Sequence, residues 1–166
     1  CGGSLNDLVV DANGHVFVGN FGFDLMGGGP PNTANLVRVD PDGSVTLAAE
    51  DLYFPNGTVI TPDGSTLIVG ETTGNRYTAF TLGADGSLSD RRVWAELGDL
   101  PVGDTFEEAL GQIKVSPDGC ALDAEGHIWA ADALGNRALR IAPGGEIVDD
   151  IKAPEGLGIY ALMLGG

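Results

Sequence analysis

A chain of 166 residues that is 43% hydrophobic and 19% charged has the composition of one globular domain with its own core, not of a disordered chain. Its 24 acidic and 8 basic side chains leave a formal net charge of −16, which argues against nucleic acid as a partner, because phosphate binding requires clustered lysine and arginine. No apolar run approaches the roughly 20 residues that span a bilayer, so we expect no membrane partner either.

In chain order, 27 glycines and 9 prolines separate short apolar runs, a pattern typical of an all-β chain with many turns. Three segments share one pattern: a polar residue, an apolar strand, a turn ending in glycine, and a second apolar strand. They are LNDLVVDANGHVFVGN from Leu5, FPNGTVITPDGSTLIVGE from Phe54 and SPDGCALDAEGHIWAAD from Ser116. A second hairpin pattern follows each segment, so each unit predicts four antiparallel strands.

Recurring units of four antiparallel strands are typical of a β-propeller, in which each unit is one blade. We predict a single all-β domain over 1–166 with blade-like units at about 5–53, 54–115 and 116–154. The residues 155–166 are predicted to begin a further blade. The second unit is the longest because it contains an insert between Gly98 and Pro117. The insert includes DTFEEALG, in which a threonine and a glutamate have the spacing of a helix-capping box.

Three units and one strand are too few to close a ring, because propellers need about four blades or more. We therefore expect the chain to be part of a longer one, with self-association through uncovered blade faces as the alternative. The chain begins at Cys1 without a signal pattern, which predicts a cytoplasmic protein. Cys120 lies in an apolar run and is predicted to be a buried thiol, not a nucleophile.

One polar position recurs at the start of the three units, at Asn6, Asn56 and Asp118. Because the first strand of every blade lines the channel of a propeller, equivalent positions would bring three oxygen-bearing side chains to one axis. Hard cations such as Ca²⁺ and Mg²⁺ are held by such oxygens. Asparagine and aspartate before a strand are also good turn residues, and that explanation stays open for each position alone. Their recurrence favours a shared site.

The segments NDLVVDANGHVFVGNFGFD, FPNGTVITPDGSTLIVGET, GSLSDRRVW and PDGCALDAEGHIWAAD resemble the gluconolactonase, regucalcin (senescence marker protein) and luciferin-regenerating enzyme family. The resemblance covers nearly the whole chain. It implies that the chain forms about three blades and one strand of a six-bladed β-propeller. Members of this family bind one divalent metal ion in the channel and hydrolyse sugar lactones and related esters, so a small lactone is the implied substrate.

The resemblance also implies roles for individual residues. Asn56 would be a metal ligand, and Asp118 would be both a metal ligand and the catalytic base. Asn6 would contact substrate or a metal-bound water, and Asp24 would contact substrate hydroxyls. Ca²⁺ is the expected ion, with Zn²⁺, Mn²⁺ and Mg²⁺ as alternatives, because oxygen ligands accept several metals.

Two departures from the family pattern affect this assignment. The family's first-blade glutamate ligand would lie before Cys1, and Ser4 stands where some members carry an arginine. With only two ligands in place, we expect weak metal binding and low activity from this chain. The predicted function is metal-assisted hydrolysis of a sugar lactone or related ester, in which the ion polarises the carbonyl and Asp118 activates water. The alternative is a non-catalytic binding propeller or an inactive fragment of such an enzyme.

Overall fold

A computed structural model describes residues 3–165 and shows an all-β chain with one short helix. The strands are Leu5–Val10 (β1), Val16–Asn20 (β2), Ala34–Val39 (β3), Val45–Leu52 (β4), Pro55–Ile60 (β5), Thr66–Glu71 (β6), Arg76–Leu82 (β7), Leu88–Glu96 (β8), Pro117–Leu122 (β9), Ile128–Asp132 (β10), Arg137–Ile141 (β11) and Ile147–Lys152 (β12). They form three four-stranded antiparallel sheets, β1 to β4, β5 to β8 and β9 to β12, each ordered as in the chain.

The three sheets are arranged around a row formed by their first strands. Strand β5 packs between β1 and β9, and the Gly119 N–H of β9 donates to the Tyr160 carbonyl at 2.9 Å. The stretch around Tyr160 therefore continues the row beyond β9. Sheets that fan out from adjoining first strands are propeller blades, so the predicted partial β-propeller is confirmed. The unit boundaries given above stay predictions.

The turn between the first two strands of every sheet ends in a glycine in the left-handed region, as predicted. The φ angles of Gly14, Gly64 and Gly126 are 87°, 72° and 80°, which glycine adopts without steric cost. The turn histidines contact aspartates of the same turns: His15 lies 2.7 Å from Asp11, and an equivalent pair occupies the third sheet. These turns lie at the end of the sheets opposite to the polar residues Asn6, Asn56 and Asp118.

Two apolar clusters fill the spaces between neighbouring sheets. The second sheet is buried on both faces, because Leu67 and Val69 of β6 pack towards the first sheet while Ile68 packs towards the third. The side chain of Ile68 is 1% exposed. Burying one such side chain contributes about 1.5 to 3 kcal/mol, so these clusters hold the sheets in register with each other.

A buried carboxylate joins the first two sheets at the end where the polar residues lie. Glu71, the last residue of β6, has no solvent exposure and accepts a hydrogen bond from the Tyr53 N–H at 2.8 Å. It also pairs with Arg76 Nε at 2.8 Å and accepts from the Thr78 hydroxyl. Glu71 thus holds the segment that leads into β5.

Asp132 occupies the same position in the third sheet. Its carboxylate accepts from the Ser116 N–H at 2.9 Å and pairs with Arg137 Nε at 2.8 Å, which holds the segment that leads into β9. The sequence signal for both carboxylates is the repeated acid-x-x-Gly-Asn-Arg pattern, ETTGNR and DALGNR, which the sequence analysis missed. In each pattern, the final arginine pairs with the carboxylate of the first residue.

The predicted insert contains the one helix of the described residues, Phe106–Leu110 (α1). The Thr105 hydroxyl accepts from the Glu108 N–H at 3.3 Å, which confirms the predicted N-terminal cap. The Glu108 carboxylate accepts instead from the Asp104 N–H at 3.0 Å, one residue earlier than in a complete capping box. No helix between residues 3 and 165 is long and apolar enough to cross a membrane.

Asn75 anchors the insert to the second sheet. This fully buried side chain donates to the carbonyls of Asp99 at 2.8 Å and Gln112 at 3.1 Å. Its Oδ1 accepts from the N–H groups of Lys114 at 2.7 Å and Val115 at 3.3 Å. One amide therefore satisfies backbone groups at both ends of the insert.

The substitution Asn75→Ala is expected to lower the free energy of unfolding by about 3 kcal/mol, because it leaves buried backbone groups without partners. Asn136 is the matched control. It has the same left-handed backbone, φ 52° against 50° for Asn75, but its side chain is exposed. Asn136→Ala is expected to cost about 1 kcal/mol, from the backbone conformation alone. Urea unfolding measures both, and equal losses would contradict the anchoring role.

Candidate functional site

Each first strand has a β-bulge close to its start. In β1, Leu5 pairs with Asn20 and Leu8 with Val18, so β1 has one more residue than β2 between these pairs. Strands β5 and β9 show the same offset against β6 and β10. The extra residue falls within the pairs Asn6–Asp7, Asn56–Gly57 and Asp118–Gly119. Bulges redirect side chains and are frequent beside active sites, and these bulges redirect the three predicted residues.

Asn56 and Asp118 have the same local conformation. The Asn56 Oδ1 accepts from the Gly57 N–H at 3.0 Å, and the Asp118 Oδ1 accepts from the Gly119 N–H at 3.0 Å. Asn56 is 4% exposed, and Asp118 is half-buried. These contacts give the N–H groups of the two bulged glycines an acceptor, which is the local role expected of a turn residue. They also orient the Asn56 and Asp118 side chains in the same way.

The structure brings Asn56 and Asp118 together through a close backbone contact. A Cβ atom on Gly57 would lie 2.0 Å from the carbonyl oxygen of Asp118, a distance that no side chain tolerates. Only glycine therefore allows β5 to approach β9 this closely. The approach places the Asn56 amide beside the Asp118 carboxylate.

Burial raises the pKa of the Asp118 carboxyl above its ordinary value, and the nearby negative charge of Asp7 adds to the rise. The hydrogen bond from the Gly119 N–H and the adjacent Asn56 amide act in the opposite direction. A carboxylate disfavoured by burial and by a like charge is one that a bound cation would stabilise. Asp7 is a neighbour that the sequence analysis missed, although it stands where the other two bulges have glycine.

Asn6 contributes a buried donor. Among residues 3–165, its Nδ2 has no hydrogen-bond partner although this atom is buried. Because buried amide groups almost always find an acceptor, an orphaned donor of this kind fits a ligand or a bound water. This position agrees with the predicted contact to substrate, which stays a prediction.

Asp24 lies in the glycine-rich loop between β2 and β3. Its exposed carboxylate accepts from the Gly27 N–H at 2.9 Å, and its carbonyl accepts from the Gly29 N–H at 2.7 Å. Together with Ser4 and Phe21 it lines a pocket of about 210 Å³. The hydrogen bonds of Asp24 explain its presence in the loop, and its contact with substrate hydroxyls stays a prediction.

The donor set fits part of the coordination shell of a hard cation. Within the described residues, no three histidine, cysteine, aspartate or glutamate side chains lie close enough together to hold a metal ion. Asn56 and Asp118 would supply two adjacent oxygens. Since Ca²⁺ takes roughly six to eight oxygen ligands, water and substrate would have to supply the others.

Cys120 follows two residues after Asp118, and its side chain is partly buried. Burial raises the pKa of its thiol to about 12, so the thiolate needed for nucleophilic attack is not formed near neutral pH. The side chain packs against the apolar cluster between the second and third sheets. This partly buried position agrees with the predicted unreactive thiol.

Comparison with known proteins identifies the family. Residues 1–166 match the family model described as the SMP-30/Gluconolactonase/LRE-like region. The chain belongs to this family. The resemblance drawn from the sequence segments is thereby confirmed, and the match extends over every strand of the three sheets.

Individual relatives agree with this assignment. A 6-deoxy-6-sulfogluconolactonase of Pseudomonas putida is 29% identical over 150 residues, which cover 90% of this chain and 46% of that protein. A luciferin-regenerating enzyme shares the fold with a TM-score of 0.75 at 24% identity, over 98% of this chain and 50% of its own. A calcium-binding regucalcin of Agrobacterium tumefaciens has a TM-score of 0.68 at 25% identity, over 90% and 45%. The chain spans less than half the length of the curated relatives it matches.

The substitution Gly57→Ala is expected to destabilise the protein by about 2 to 3 kcal/mol, because the new methyl group would force β5 away from β9. Gly111→Ala is the matched control. Gly111 has a φ of −64°, and a Cβ there would lie 3.8 Å from its nearest neighbour. We expect the control to change stability by less than about 0.5 kcal/mol. Thermal unfolding measures both variants, and a Gly57→Ala protein as stable as the original would refute the close approach.

Proposed function

We propose that this chain carries part of the catalytic centre of a lactonase that hydrolyses a sugar lactone or a related ester with the help of a divalent metal ion. The main support is the pairing of Asn56 with Asp118 at the starts of adjoining first strands. The family and the relative named as a 6-deoxy-6-sulfogluconolactonase support the same substrate class. Because the chain spans under half of that relative, the activity of the whole protein is part of the proposal.

Asn56 and Asp118 would hold the ion. A divalent ion bound there would polarise the lactone carbonyl as a Lewis acid. We favour Ca²⁺ because both donors are hard oxygens and a structural relative is named as a calcium-binding protein. Zn²⁺, Mn²⁺ and Mg²⁺ remain alternatives that the same oxygens accept.

Asp118 would act as the general base. A water molecule attacks the carbonyl carbon of the lactone while the Asp118 carboxylate takes one of its protons. The ring C–O bond would then break, and the proton held by Asp118 would pass to the departing ring oxygen, so that the product is the open-chain hydroxy acid and the carboxylate is restored. The Asn56 amide and the Gly119 N–H would keep the carboxylate oriented towards the water.

Asn6 and Asp24 would position the substrate. The buried Nδ2 of Asn6 is available to donate to a substrate oxygen. The Asp24 carboxylate is exposed and has acceptor capacity beyond its bond to the Gly27 N–H, so it would accept from a substrate hydroxyl. Ser4 supplies no positive charge where some family members carry an arginine, and this favours a substrate recognised through neutral hydroxyl groups.

Self-association is a further part of the proposal. The first sheet exposes Leu8, Val10 and Val45, and the third exposes Ile147 and Ile151, with exposed fractions between 43% and 65%. Several exposed apolar side chains on a sheet favour its packing against another sheet. A cytoplasmic location stays a prediction.

The substitution Asp118→Asn is expected to weaken Ca²⁺ binding and to reduce lactone hydrolysis by about 100-fold or more, because it removes the charge of the ligand and the base together. Isothermal titration with Ca²⁺ and hydrolysis of glucono-1,5-lactone, followed through acid release, are the measurements. Asp149→Asn, an exposed position on β12, is the matched control and should change neither.

The two measurements separate the proposal from its rival. Loss of both Ca²⁺ binding and turnover in Asp118→Asn supports the lactonase. Ca²⁺ binding by the original chain without any turnover would support a non-catalytic binding propeller or an inactive fragment. If Asp118→Asn retained the Ca²⁺ affinity of the original protein, the proposed metal site would be wrong.

A further inference from the structure

A second pocket opens at the loop end of the molecule, apart from the residues proposed for catalysis. Its volume is about 300 Å³, within the size range of small-molecule sites. The residues that line it come from four segments and include Asn32, Tyr53, Thr73, Val102, Phe106 and Ala109. None of the four predicted site residues lines this pocket. We call it the insert pocket.

Four segments build the walls of the insert pocket, and each is fixed to the rest of the fold. Asn32 lies just before β3, where the hydroxyl of the next residue, Thr33, donates to the Asp51 carboxylate at 3.3 Å. Tyr53 precedes β5, and its N–H is held by Glu71. Thr73 lies in the turn between β6 and β7, and its N–H donates to the Tyr53 carbonyl at 3.3 Å. The insert forms the remaining wall and is tied down by Asn75.

Aromatic packing holds the insert across the top of this pocket. The ring of Phe106 in α1 lies 5.6 Å from the ring of Phe23, centroid to centroid, and so connects the insert with the first sheet. The Arg76 guanidinium lies over the Tyr53 ring at 5.3 Å. The pocket is therefore largely formed before any ligand arrives, which lowers the entropic cost of binding.

Three polar groups on the wall are free to bind a ligand. In the described part of the chain, the Tyr53 hydroxyl, the Thr73 hydroxyl and the Asn32 Nδ2 form no hydrogen bond with protein atoms. The neighbouring groups are occupied, since the Asn32 Oδ1 accepts from the Thr33 N–H at 2.9 Å. A mostly apolar pocket with a few uncommitted polar groups is typical of a small-molecule site.

Charge restricts the class of ligand. The lining residues carry no formal charge near neutral pH, although the chain as a whole has a net charge of −16. An anion would meet the repulsion of the acidic protein, and a cation would find no carboxylate on the wall. An uncharged ligand meets neither obstacle.

We propose that the insert pocket binds an uncharged, hydroxylated ring of the size of one sugar unit. The apolar face of such a ring would pack against Phe106 and Val102, while its oxygens would accept from the Tyr53 and Thr73 hydroxyls and the Asn32 amide. This inference does not depend on the proposed lactonase activity, because none of its residues belongs to the proposed catalytic centre.

The test measures binding of methyl β-D-glucopyranoside by saturation-transfer NMR and by titration. The matched probe is methyl β-D-glucuronide, which has the same ring and a carboxylate. We expect the neutral glycoside to bind at least about tenfold more tightly than the glucuronide, because no lining residue is positive and Arg76, which lies over the Tyr53 ring, is already paired with Glu71. Equal affinities would refute the argument from charge, and no binding of the neutral glycoside would refute the proposal.

Two substitutions locate the binding. Val102 is 71% exposed, so Val102→Trp should fold normally, fill the insert pocket and abolish binding of the neutral glycoside. Ala84→Trp is the control, because Ala84 is an exposed loop residue that lines a pocket at the opposite end of the sheets. It should leave the affinity unchanged. Unaltered binding in Val102→Trp would place the glycoside elsewhere and overturn the proposal.

A third variant examines one hydrogen bond without filling the pocket. Tyr53→Phe removes only the hydroxyl and should weaken binding of the neutral glycoside by about fivefold, as expected for one hydrogen bond. Ca²⁺ titration of the same variants should be unchanged, so failure of this proposal and failure of the metal-site proposal give different results. An unchanged glycoside affinity in Tyr53→Phe would show that the hydroxyl does not contact the ligand.

Discussion

The close contact between the bulges of β5 and β9 is the constraint on which the candidate site depends. Gly57 lies against the carbonyl of Asp118, and the absence of a side chain there lets two first strands meet at the point where both are bulged. The bulge turns Asn56 and Asp118 out of the regular alternation of the strand. Because the following N–H holds each side chain in the same way, their relative position is set by the backbone and not by flexible side-chain torsions.

Buried carboxylates support this arrangement from behind. Glu71 and Asp132 end the second strands of their sheets and bind the backbone that leads into β5 and β9. A buried charge is costly unless it is paired and fully hydrogen-bonded, and both carboxylates have an arginine together with backbone or hydroxyl donors. Glu71 and Asp132 therefore act by positioning the backbone. They determine where β5 and β9 begin, and so where Asn56 and Asp118 lie.

The two ends of the sheets differ in what they can bind. At the turn end, short hairpins satisfy themselves through aspartates and histidines of their own turns. At the loop end, two connections are longer, residues 21–33 and 97–116, and the second contains the insert, whose helix reaches Phe23 of the first sheet. Polar groups without protein partners occur at this end, at Asn6 and around the insert pocket. Longer loops on a rigid sheet scaffold are where proteins usually place their binding groups.

The sequence alone determined the strands and the turns, because alternating apolar residues and glycine turns act locally and recur in each unit. The family was indicated separately, by the resemblance of four motif segments. The sequence also determined the equivalence of Asn6, Asn56 and Asp118, which is a matter of counting along repeats. Only the tertiary structure decided that Gly57 touches Asp118, that Asp7 acts on the Asp118 pKa, and that Tyr53 and Phe106 share a pocket. These facts join residues distant in sequence, and such contacts arise from the packing of one sheet on the next, which no local pattern encodes.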